Sequence, residues 1–74
     1  VGKSSAFLEE EAFERIIDYF DEREELANAL EAASIAIDHF PFCAALLFKK
    51  ADLLLATRRY QQALNLLEKA ALLD

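Results

Sequence analysis

The side chains of this chain with the clearest capacity for chemistry are His39 and Cys43, the single imidazole and the single thiol, four residues apart across Pro41. That spacing could hold half of a metal site. A structural zinc site, however, usually takes about four nitrogen or sulfur ligands, and here a proline breaks the two apart, so a buried, inert Cys43 and a solvated His39 are expected. Carboxylates are abundant, in the run Glu9–Glu11 and in Asp21–Glu25, broken only by Arg23. General acid–base catalysis needs two of them converging in a pocket, and runs on helix faces do not provide one. A nucleophilic triad has no base beyond His39. A phosphate-cradling loop needs several glycines, and Gly2 is the only one. No enzyme activity, cofactor or metal is therefore expected.

Charge narrows the partners. Residues 1–40 hold eleven acids against Lys3, Arg15 and Arg23, a balance of −8, whereas residues 41–74 hold five bases against Asp52, Glu68 and Asp74, a balance of +2. Binding a nucleic-acid backbone depends on Lys and Arg displacing condensed counterions, which the acidic first half opposes. A basic or neutral protein partner fits better. No apolar run approaches the ~20 residues that span a bilayer, so no membrane association is expected. Residues Val1–Phe7 carry no apolar stretch of the secretory kind, and one cysteine cannot form an internal disulfide. A soluble protein of the cytoplasm is the expectation.

The elements that must position these side chains are helices. Gly2 and Pro41 are the only strong backbone breakers, and Ala, Leu, Glu, Lys and Arg dominate the rest. Ala12, Phe13, Ile16, Ile17, Tyr19 and Phe20 make one face of a helix from Glu9 to about Glu22, with Glu9–Glu11 at the positive end of its dipole. After the acidic run, Leu26, Ala29, Leu30, Ala33, Ala36 and Ile37 resume the pattern in a second helix. Pro41 lacks an amide hydrogen and biases Phe40 out of the helical region, so that helix should end by about His39. A third helix is predicted from about Ala44 to Ala56 and a fourth from about Tyr60 to Leu73, separated by Thr57, Arg58 and Arg59. The chain reads as all-α, two antiparallel hairpins at 9–41 and 42–74 after a lead-in at 1–8.

The hairpins repeat with a lag of 34 residues. Phe13, Ile17, Phe20, Leu26, Ala29, Leu30 and Ala36 are answered by Leu47, Ala51, Leu54, Tyr60, Ala63, Leu64 and Ala70. A fixed period in this range marks stacked units that bury their apolar faces against one another. With Ala33, Leu67 and Pro41 added, the pattern resembles the tetratricopeptide repeat, over residues from about 10 to 74. The small residues fit close helix contacts, where large side chains of one helix enter grooves on the other. Departures are visible: Ile17 stands where the family has Gly or Ala, which predicts a looser contact in the first hairpin, and Glu24 and Arg58 replace a turn glycine. A self-contained four-helix bundle is the competing architecture.

The resemblance implies an α-solenoid whose helix-A face binds a protein or peptide, a scaffold or adaptor role. Carried over residue by residue, that groove comprises Glu11, Glu14, Asp18, Asp21 and Glu22 in the first unit, and Ala45, Phe48, Asp52, Leu55 and Ala56 in the second. It is acidic at one end and apolar at the other, which suits a basic or neutral segment with an apolar anchor. The acids would repel the C-terminal carboxylate that one variant of the family clamps. Their plainer role is to solvate a first helix. The basic cluster Lys49, Lys50, Arg58 and Arg59 is either surface charge or a contact for the acidic helix of another copy. Phe40 and Phe42 are expected to wedge the hairpins together, the alternative being an exposed aromatic contact. Asp74 falls one residue short of the proline expected in the second unit, and the apolar residues of the last helix spread over roughly 180°, beyond the ~100° stripe needed for one packing partner. Further repeats, or self-association through Leu64, Leu66 and Leu73, would cover that excess. A docking role within a larger regulatory protein is a third reading.

Overall fold

The computed structural model describes the backbone of residues 2–73 and the side chains of residues 9–73. Four helices follow one another: α1 (Gly2–Glu22), α2 (Leu26–His39), α3 (Ala44–Ala56) and α4 (Tyr60–Leu73). Three of these match the sequence reading, with α2 stopping at His39 beside the predicted proline break. Phe40 leaves the helix with φ −132° while its N–H still donates to the Ala36 carbonyl at 2.8 Å.

The first helix differs from expectation. It begins at Gly2, so the expected lead-in is largely helical. Residues 3–8 hold no proline or glycine, and nothing in them stops a helix from running on past the apolar pattern. Glu9–Glu11 accordingly sit in the helix interior, beyond the first turn where the dipole favours a negative charge.

The 34-residue lag reappears in the backbone. Glu24 and Arg58 adopt the left-handed conformation, at φ 60° and 64°. Glu24 N–H donates to the Asp21 carbonyl and Glu25 N–H to that of Phe20, both at 2.9 Å; Arg58 N–H donates to Leu55 at 3.1 Å and Arg59 N–H to Leu54 at 2.8 Å. Both α1 and α3 therefore end in the same Schellman turn. Helices α2 and α4 then start 34 residues apart and are each 14 residues long. The echo extends from side-chain type to individual hydrogen bonds.

Packing is sequential. α1 packs on α2, α2 on α3 and α3 on α4, with a lighter touch between α1 and α3; among the described residues α4 meets neither α1 nor α2. A closed four-helix bundle would bring all four helices around one core. This chain instead forms a stack about 15 Å thick, with extents of 40 × 30 × 15 Å, a helical-repeat-like arrangement of two hairpins.

The core explains the spacing of the small residues. Ala29, Ala33 and Ala36 on α2 and Ala63 and Ala70 on α4 are completely buried. Around the α2 alanines gather Ile17 of α1 and Leu46 and Leu53 of α3, with Phe13, Phe20, Leu30, Ile37 and Phe40 half-buried beside them. Ile17 itself is buried, at 1% exposure, while α1 and α2 pack less closely than α3 and α4; the burial of so large a side chain has a local explanation. The reason is an exchange of volume between the hairpins. Ile17 shares its cluster with the small Ala33, whereas their equivalents 34 residues on are the small Ala51 and the larger Leu67.

Phe40 packs against the core cluster, edge-on to Phe13 of its own hairpin at 6.1 Å between ring centres. Phe42 does not. It is 77% exposed, because Pro41 and Phe42 form the turn itself and the ring points away from the helices.

Candidate interaction surface

At 100° per residue, Glu11, Glu14, Asp18, Asp21 and Glu22 fall within about 100° of one another on α1, and Ala45, Phe48, Asp52, Leu55 and Ala56 repeat that stripe on α3. The stripe is apart from the buried positions Ile17, Leu47 and Leu54, so none of its members is buried. Glu11 and Glu14 are half-buried, and the other eight are exposed. Because α1 and α3 touch, the two stripes lie side by side on one face of the stack.

One contact crosses between the helices there. Lys49 Nζ donates to Asp18 Oδ1 at 2.8 Å, the only ion pair among the described residues. Partial exposure on both sides leaves such a pair worth roughly 0–1 kcal/mol, so it orients more than it stabilises. It also revises two expectations. Asp18 is not a free acid of the groove, and Lys49 meets the acidic first helix of its own chain. Glu11, Glu14, Asp21, Glu22 and Asp52 make no ion pair among the described residues. What remains is an acidic strip on α1 beside the exposed apolar side chains of Phe48 and Leu55 on α3.

Shallow clefts lie off this face among the described residues. One, about 300 Å³, sits at the turn between α2 and α3 and is lined by Glu10, His39, Phe40, Pro41, Phe42 and Cys43, the last of which is half-buried, short of the burial expected of it. His39 stacks on Phe13 with ring centres 5.7 Å apart, which fixes the imidazole against an aromatic face. No group of three metal-ligating side chains occurs among the described residues. A cleft of about 180 Å³ is bordered by Phe20, Asn28, Glu31, Ala32 and Ile35, and one of about 120 Å³ by Glu9, Ala12, Phe13 and Ile16.

The residues expected to mediate self-association do not share a face. Leu64 is exposed on one flank of the buried Ala63 and Ala70, whereas Leu66 and Leu73 lie on the other, about 160–180° around the helix. Leu66 is half-buried. Sequence reasoning also missed the end of the stack formed by α1, where Ala12, Ile16 and Tyr19 are solvent-facing. Arg23 lies 4.4 Å over the Tyr19 ring, an i, i+4 cation–π pair whose spacing was available as a signal. Of the remaining basic residues, Arg58 and Arg59 stand exposed in the α3–α4 turn and Lys50 is half-buried. No described helix is long and apolar enough to cross a membrane.

No protein-family model matches the chain, and comparisons with curated proteins and with solved structures likewise find no match.

Proposed function

We propose that this chain is a non-enzymatic, tetratricopeptide-like interaction module that holds a protein or peptide segment against the face shared by α1 and α3. The observation that carries this reading is the exposed pairing of an acidic strip with Phe48 and Leu55 on adjacent helices. Neither group serves the core. Interaction sites concentrate their energy in a few apolar anchors set within a polar surround, and carboxylates beside such anchors favour a segment bearing Lys or Arg and steer its approach. The family likeness supports the same face, since helix-A positions line the ligand groove in tetratricopeptide repeats. The sequential hairpin stack and the 34-residue recurrence are the grounds for that likeness.

The test is binding of a labelled synthetic peptide with lysines flanking a leucine–phenylalanine anchor, followed by fluorescence anisotropy. Glu14→Lys combined with Asp21→Lys leaves the Lys49–Asp18 pair intact and should weaken binding about five- to tenfold, with a smaller dependence on salt. Equal affinity for the variant and the parent chain would refute the acidic groove.

A further inference from the structure

We propose that copies of this chain stack head to tail, α4 of one copy receiving α1 of the next in the register in which α2 receives α3 within the chain. The internal contact supplies the template. On α2 one flank, Leu26, Leu30, Ala33 and Ile37, is buried or half-buried in the cluster that takes in Leu46 and Leu53 of α3. Thirty-four residues later the same flank of α4 reads Tyr60, Leu64, Leu67 and Ala71, equally apolar, yet Tyr60 is 60% and Leu64 49% exposed. On α3 the side chains that enter the α2 cluster are Leu46 and Leu53. Their counterparts on α1 are Ala12 and Tyr19, and Ile16 lies between them, 45% exposed. The tail of the stack thus offers what α2 offers, and the head an apolar stripe where α3 places its leucines.

Charge identifies a second copy as the occupant. The ion pair that joins the hairpins, Lys49 with Asp18, has a counterpart one repeat along in which both signs are kept: Asp18 becomes Asp52, and Lys49 corresponds to Arg15 on the α1 of the incoming copy. Arg15 and Asp52 are both exposed and make no ion pair among the described residues. At longer range the head carries −8 and the tail half +2, so the stacked orientation sets opposite signs together although each copy is acidic. This contact uses different patches on the two partners and is heterologous, so it propagates rather than ending at a two-fold dimer.

Sedimentation of the chain across a concentration series should show reversible association beyond a dimer. Ile16→Glu blocks the head and Leu64→Glu blocks the tail, both at exposed positions, and each alone should weaken self-association about tenfold or more. Mixed together, the two variants should form a one-to-one dimer and nothing larger, because each retains the surface the other lacks. Arg15→Asp should weaken stacking severalfold, and adding Asp52→Arg in the same chain should restore it, which reads the same interface without altering an apolar residue. A parent chain that stays monomeric at every concentration would overturn the proposal and leave these end faces to another partner. Ile16→Glu alone associating as well as the parent would also overturn it, since that result describes tail-to-tail pairing.

Discussion

Ile17→Ala is expected to lower the stability of the chain by about 2–5 kcal/mol, the range for truncating a buried aliphatic side chain. For a chain of this size the whole stability is only on the order of 4–11 kcal/mol, so urea denaturation followed by circular dichroism should show a large shift of midpoint. The second substitution is more informative. Ala33→Leu alone should overpack the same cluster and cost about 1–3 kcal/mol. Combined with Ile17→Ala, it installs in the first hairpin the arrangement the second hairpin already uses, a small residue on the first helix and a leucine on the second. The double variant should therefore be at least about 1 kcal/mol more stable than the sum of the single losses allows. Strict additivity would mean that the two sites do not share the volume.

The second large effect has the opposite sign. Glu24 and Arg58 occupy the left-handed region at φ 60° and 64°, which costs a residue with a Cβ roughly 1–2 kcal/mol and glycine almost nothing. Glu24→Gly and Arg58→Gly should each stabilise the fold by about 1 kcal/mol, less than the full conformational penalty because glycine also loosens the unfolded chain. With no hydrogen-bond partner in common, the two gains should add to about 2 kcal/mol. Glu25→Gly and Arg59→Gly are the matched controls. Those neighbours have no left-handed backbone to relieve, so glycine there should lower stability by a few tenths to about 1 kcal/mol. A rise in melting temperature for the controls would break the link to backbone geometry.

Positions governed by local chemistry were legible in the sequence. Pro41 located the end of α2, and the residues after it the start of α3, because a missing amide and a restricted preceding residue act within one turn. The alanines at 29, 36, 63 and 70 were legible as close-contact positions because periodicity reports which face is buried. The start of α1 was not, since the apolar pattern begins later than the backbone's freedom to be helical. The burial of Ile17 was not legible either, since it depends on the neighbours it meets in the cluster, the small Ala33 among them. The position of Ile17 within its own helix carries no record of that compensation. The candidate surface divides in the same way. Its stripe on each helix follows from spacing, but the capture of Asp18 by Lys49 depends on how close α1 and α3 come, which no single-helix pattern encodes. Phe42 was misplaced for a related reason: aromatic character predicts burial, whereas the turn at Pro41 decides where that ring points.

Among the described residues α1 and α4 do not touch, which bears on how quickly this chain reaches its fold. Every packed helix pair among the described residues joins neighbours in sequence or the two first helices of the hairpins, so the packing does not wait for α1 and α4 to meet. Loop-closure entropy, which slows chains rich in distant contacts, is incurred only in short instalments. In nearest-neighbour stacks of this type structure can nucleate in any unit and spread to the next. The folding rate of this chain is then expected to follow the formation of one hairpin and, for the first hairpin, its capture of α3 through Leu46 and Leu53.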